Sequence, residues 1–147
     1  DVLTLLLVMD SYVELYKGGI VPLADFVNMP YDRDILVRVI VKKTAAHYSY
    51  KSVRISKTDF PVLTCAAALT QKGVQAAVGA RPAKAALVKD AEQLATLPMT
   101  AEKAQAFAEY AAGLLPTETN PRGSAAYRTH LIKVLTARCL TELGGKA

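Results

Sequence analysis

Residues 42 to 57 set Lys42, Lys43, Lys51, Arg54 and Lys57 around Tyr48 and Tyr50. Cations that grip phosphate and aromatics that stack on bases are what a single-stranded nucleic-acid surface needs. A solvated strand face has the same composition, however, and the acids Asp32, Asp34 and Asp59 lie close by in the chain. Over the whole sequence, 18 Lys plus Arg stand against 13 Asp plus Glu, a net charge of +5 that is spread out rather than gathered into one run. That balance permits an anionic ligand or an acidic partner without demanding either, and it weighs against nucleic acid.

Other reactive side chains are isolated. His47 and His130 have no neighbours that would make either one a base or a ligand, and a structural or solvated role accounts for both. Cys65 and Cys139 lie far apart, without a second Cys or a His at metal-ligand spacing, so neither a disulfide framework nor a metal site is expected. The sequence contains no GxSxG, HExxH, GxxxxGK[ST] or GxGxxG. No catalytic residue follows from the motifs.

Several elements must position these residues. Tyr12 to Tyr16 alternates apolar and polar residues, Lys17-Gly18-Gly19 supplies turn chemistry and Ile20 to Leu23 resumes the apolar run, which predicts a β-hairpin. A breaker-rich connection, Asn28-Met29-Pro30-Tyr31-Asp32, precedes a strand over Ile35 to Val41 with Val37, Val39 and Val41 on one face. Thr44-Ala45-Ala46 is a hinge before a second β-rich run, His47 to Ile55, in which Tyr48, Tyr50, Ser52 and Arg54 share a side. Residues 35–55 are therefore expected to form one hairpin. Phe60 to Leu69 and Val74 to Val78 flank Gln71-Lys72-Gly73 and predict another, although Ala66-Ala67-Ala68 is equally compatible with helix.

Beyond Pro82 the pattern turns alanine-rich with a 3.6-residue period, predicting three helices over residues 83–95, 101–114 and 124–143. Thr100 and Ser124 are N-cap candidates, while Pro98, Pro116 and Pro121 fall in the connections. The third helix carries an apolar stripe of Tyr127, Leu131, Val134, Leu135 and Cys139, with Arg128, Lys133 and Thr136 facing away. Strands first and helices after, without βαβ alternation, give an α+β fold: an antiparallel β-sheet covered on one face by three C-terminal helices.

The 52% hydrophobic content supports a packed core. The longest apolar run, Val2 to Met9, is interrupted by Thr4 and falls far short of the roughly 20 residues that span a bilayer. A soluble, cytoplasmic protein without a membrane span is expected. The chain starts at Asp1 directly before Leu3, Leu5, Leu6 and Leu7, and it reads as a piece of something longer.

Three stretches carry a family resemblance. Residues 50–69 (YKSVRISKTDFPVLTCAAAL) resemble the aromatic-Lys, basic-loop, Asp-aromatic and small-residue strand of the FAD-binding medium subunit of molybdenum hydroxylases, the xanthine dehydrogenase and carbon monoxide dehydrogenase flavoprotein family. Residues 119–131 (TNPRGSAAYRTHL) resemble its closing signature, and residues 78–85 (VGARPAKA) its glycine-containing turn. On this resemblance residues 1–46, including Val21 to Phe26, are the tail of a vanillyl-alcohol-oxidase-type FAD-binding domain. Residues 47–147 are the small C-terminal domain.

The resemblance implies electron transfer from a molybdopterin large subunit through an iron-sulfur small subunit to FAD, and onward to NAD or another acceptor. It also implies roles for particular residues. Leu36 would lie in the strand bordering the flavin ring, with Asp34 just before it. Lys51 would be the cation at the flavin's carbonyl edge, and Asp59 and Phe60 would occupy the loop beside the isoalloxazine, with Phe60 covering it. The bland alternatives are an apolar core position for Leu36 and Phe60, and a surface ion pair between Lys51 and Asp59. The family's glycine-rich pyrophosphate loops have no counterpart in this sequence, so the 147 residues alone are expected to bind FAD weakly or not at all. The rival reading is an interaction module that keeps the fold without the flavin.

Overall fold

The computed structural model describes residues 1–31 and 33–145; Asp32, one of the acids weighed above, lies outside them. Helix α1 (Val2–Val8) precedes strands β1 (Tyr12–Leu15) and β2 (Gly19–Pro22), the short helix α2 (Leu23–Phe26) and strand β3 (Leu36–Ile40). The three strands pair antiparallel in the order β2-β1-β3. Strands β4 (His47–Val53), β5 (Leu63–Thr70), β6 (Gly73–Gly79) and β7 (Ala86–Lys89) make a second antiparallel sheet in that order. Helices α3 (Ala101–Leu114) and α4 (Ala125–Gly144) follow.

The expected hairpin over 12–23 is present, turning at Gly19 with φ +68°. So is the β5–β6 hairpin, where Gly73 adopts φ +109° and the Thr70 hydroxyl donates to the Gly73 carbonyl at 2.9 Å. Ala66, Ala67 and Ala68 are strand residues with no exposed surface. The Thr100 and Ser124 side chains cap α3 and α4, accepting from the backbone N–H of Lys103 and Tyr127.

Three expectations require correction. Residues 35–55 do not form one hairpin: β3 pairs with β1, aligning Arg38 with Glu14, whereas β4 pairs with β5 in the other sheet. The first of the three helices is absent, because residues 86–89 take the edge of the second sheet against β6. Main-chain pairing there and a left-handed Gln93 (φ +55°) override the helical preference of alanine, and Asp90 caps the following turn through the backbone N–H groups of Leu94 and Ala95. Finally, the four-stranded sheet is covered on both faces rather than one.

Cys65, Ala67, Ala76 and Val78 face α3 and α4, where they join Phe107, Ile132, Leu135 and Leu140 in one core. Ala66, Ala68 and Ala77 face the opposite way, into a second core with Leu7, Val8, Val13, Leu15 and Leu23. A strand buried on both faces loses its alternation, which is why β5 reads as a continuous small apolar run. Complete burial contributes about 1.5 to 3 kcal/mol for each large aliphatic or aromatic side chain, so α4 and Phe107 supply much of the stabilisation that the alanines cannot.

Helix α1 crosses the sheet on the face of the second core. The Thr4 and Thr64 hydroxyls, both buried, hydrogen bond at 2.9 Å directly over Gly79. A Cβ on Gly79 would lie within 2.6 Å of the Thr64 Oγ1 and closer still to the Thr4 Oγ1. Gly79→Ala is therefore expected to lower stability by about 1 to 3 kcal/mol, the range for overfilling a packed interior. Urea denaturation should show a lower midpoint with an unchanged slope; an unshifted midpoint would contradict this packing.

Candidate functional site

Asp34 lies just before β3, and its carboxylate closes the β1–β2 turn. It accepts from the backbone N–H groups of Lys17 at 3.1 Å, Gly18 at 2.8 Å and Ile35 at 2.7 Å. Partial desolvation pushes its pKa up, but these amide donors, Ile35 first, outweigh that and hold the carboxyl below the ordinary aspartate value. Two residues on, Leu36 sits opposite Leu15 of β1 and is 47% exposed, so it is not the buried filler of the bland alternative.

Lys51 occupies a different surface. Its side chain points from β4 toward α4, where Nζ donates to the Glu142 carboxylate at 2.8 Å. The buried Ser49 hydroxyl donates to the same carboxylate oxygen at 2.9 Å. The hydrogen bond to Glu142 raises the Lys51 pKa above the ordinary lysine value, against the opposing pull of burial. Behind this group the two cysteines, distant in sequence, meet between β5 and α4 as buried free thiols. A hydrogen bond with Cys139, and then burial, push the Cys65 thiol well up, so it rests protonated.

Asp59 and Phe60 lie on the β4–β5 connection, residues 54–62. The Arg54 guanidinium donates to the Asp59 carbonyl at 2.6 Å, and the Asp59 side chain accepts from the Phe60 N–H at 2.7 Å. Arg122, from the loop before α4, lies 3.7 Å from the Asp59 carboxylate and 5.3 Å over the Phe60 ring. Phe60 itself is 73% exposed, an aromatic face held in the open. It is not core.

The five residues thus fall into two groups. Asp34 and Leu36 belong to the small sheet, while Lys51, Asp59 and Phe60 belong to β4 and its connection to β5. The suggested Lys51–Asp59 pair does not form, because α4 supplies Glu142 to the first and the loop before it supplies Arg122 to the second. Nor do the cations and tyrosines of residues 42–57 make one face. Lys42 packs over the Tyr12 ring at 4.0 Å, the Tyr50 hydroxyl and Arg54 both donate to the Asp1 carboxylate, and Lys51 turns toward α4.

Arg128 and Thr136, expected to face away from the core, are both fully buried, and the stripe residue Tyr127 is 45% exposed. The cause is a helix covered on two sides, by β5 and by α3, so its buried sector is wider than one stripe. The only sequence signal for Arg128 was its place within the closing signature.

A family model described as the CO dehydrogenase flavoprotein C-terminal domain matches residues 48–143, from β4 to the end of α4. No curated protein matches the sequence. Among solved structures, CO dehydrogenase from Hydrogenophaga pseudoflava lacking the Mo-pyranopterin moiety of its cofactor superposes with TM-score 0.84 at 19% identity. Quinoline 2-oxidoreductase from Pseudomonas putida 86 gives 0.79 at 21%, and reconstituted CO dehydrogenase from Oligotropha carboxidovorans 0.74 at 20%. Each superposition covers 100% of this chain but only 56 to 57% of the other. At these identities the likeness is one of fold.

The geometry at Asp34 makes a pH-dependent expectation. Because its folded pKa is lowered, its contribution to stability is present above the ordinary aspartate pKa of about 3.9 and is lost as pH falls through the lower folded value. Asp34→Asn should therefore be less stable than wild type near neutrality, with the gap closing in strong acid. Thermal melts from pH 2 to 7 measure this, and a gap independent of pH would show that the charge on Asp34 is not what holds the turn.

Proposed function

Because the chain belongs to the CO dehydrogenase flavoprotein C-terminal domain family, we propose that it is the C-terminal part of the FAD-bearing subunit of a molybdenum hydroxylase. In this reading it works beside an iron-sulfur small subunit and a molybdopterin large subunit in a cytoplasmic complex of the xanthine dehydrogenase or carbon monoxide dehydrogenase type. Residues 1–46 are the tail of the FAD-binding domain and residues 47–147 the C-terminal domain. The observation that carries the proposal is the family match over β4 to α4, the segment that contains Lys51, Asp59 and Phe60. No helix among the described residues is long and apolar enough to cross a membrane.

The residues present fit one part of the cofactor. Phe60 offers an exposed aromatic face on a loop tied down by Arg54 and Arg122, and Leu36 offers an exposed apolar side chain; both suit a flat isoalloxazine ring. Lys51 can place positive charge at the ring's carbonyl edge if it exchanges Glu142 for the flavin, and Asp34 acts indirectly by shaping the turn ahead of Leu36. The sequence has no glycine-rich loop for the pyrophosphate. Bound FAD would supply the electron-transfer chemistry between the iron-sulfur clusters and NAD or another acceptor. This chain's own contribution is to cover the ring, set charge near it and exclude water.

The test is flavin stoichiometry, by absorbance after acid release, on the protein at its natural length and purified without added cofactor. About one FAD per chain is expected. Phe60→Ala should weaken FAD binding roughly three- to tenfold, the worth of one aromatic contact. The isolated 147 residues should bind FAD with a dissociation constant weaker than micromolar. No flavin at natural length, even with excess FAD, would favour an interaction module that keeps the fold without the cofactor.

A further inference from the structure

Arg128 stands in the first turn of α4 with 0% of its surface exposed, and no carboxylate pairs with it among the described residues. Every acceptor it meets is neutral. Its Nε donates to the Val62 carbonyl at 3.0 Å, Nη1 to the carbonyls of Glu118 (2.7 Å) and Gly123, and Nη2 to the Asn120 side-chain oxygen at 2.5 Å. Burial, and then the nearby Arg122, lower its pKa from the ordinary arginine value, the mark of a cation held where it is poorly compensated.

A buried cation facing only neutral oxygens is an expensive way to fill space, and an apolar side chain of similar volume would do so at lower cost. What an apolar side chain lacks is the rigid, planar fork of donors. Here the fork joins three segments: the end of the 54–62 connection at Val62, the 118–123 loop, and α4 itself. The connection it grips carries Asp59 and Phe60, and the loop it grips carries Arg122, which lies over Phe60. Gly123 completes the junction, since a Cβ there would approach the Val62 side chain to 3.1 Å.

Resting on the FAD reading above, we infer that Arg128 is a positioning residue for the flavin. It acts through Phe60, by locking the 54–62 connection to the start of α4, and touches neither cofactor nor acceptor.

Arg128→Lys keeps the charge and removes the fork, and two readouts test it. In the 147-residue chain, amide hydrogen exchange at Phe60 and Val62 should rise tenfold or more, while exchange in the β5–β6 core stays as in wild type. In the FAD-bearing protein at natural length, Arg128→Lys should weaken FAD binding about as much as Phe60→Ala does, and should add no further loss in a Phe60→Ala background. A purely structural role would instead raise exchange through β5 and β6 as well, and would weaken FAD binding in both backgrounds alike; either result overturns the inference, as does unchanged exchange at Phe60. If Arg128→Lys does not fold, Asn120→Ala removes one acceptor and leaves the guanidinium, and the same comparisons apply. Absence of FAD from the wild-type protein would sink the FAD reading, whereas the exchange measurement decides separately whether Arg128 holds the loop.

Discussion

The rest of the structure depends on a sheet that is dry on both faces. β5 and β6 lie between α3 and α4 on one side and α1 with the small sheet on the other, and only small side chains allow all of these to approach. Alanine at 66, 67, 68, 76 and 77 provides the space, and Gly79 allows the Thr4–Thr64 hydrogen bond to cross the strand directly. Small residues bury little area, so the favourable free energy must come from the larger groups packed against them, Phe107, Ile132, Leu140 and Leu143 among them. The helical layer thus both covers the sheet and supplies much of its stability.

Polar contacts between α4 and the β4–β5 unit concentrate at the two ends of the helix. At the N-terminal end the Arg128 guanidinium takes the Val62 carbonyl, and at the C-terminal end the Glu142 carboxylate takes Ser49 and Lys51. A helix of 20 residues spans roughly 30 Å, enough to reach from the open end of β4 past the loop that enters β5. Between the two ends the contact is apolar apart from the buried Cys65–Thr136 contact at 3.4 Å. The arrangement fixes the axial position of α4 without placing an uncompensated polar group in the middle of the core.

One element therefore sets two features of the candidate site. The loop carrying Phe60 and the strand carrying Lys51 are both held by α4, whereas Asp34 and Leu36 are set independently by the β1–β2 turn and the small sheet. The two groups touch different layers of the molecule. A ligand that used both would bridge the small sheet and the larger unit.

Local chemistry was legible in the sequence wherever it is decided within a few residues. Lys17-Gly18-Gly19 and Gln71-Lys72-Gly73 marked hairpin turns, Thr100 and Ser124 marked helix starts, and the Tyr50-to-Leu69 stretch and closing signature marked the family. What depended on a distant partner was not legible. Residues 86–89 became strand because β6 offered an edge, β3 left its sequence neighbour β4 to pair with β1, and Arg128 turned inward because carbonyls from two loops converge there. By itself the sequence determined turns, caps, the α+β class and family membership, because backbone propensity and side-chain pattern act over short range. Only the tertiary structure decided which strand paired with which, which charges were buried and which residues came together at the site, because hydrogen bonds and burial at those positions are completed by groups as far as 93 residues away in the chain.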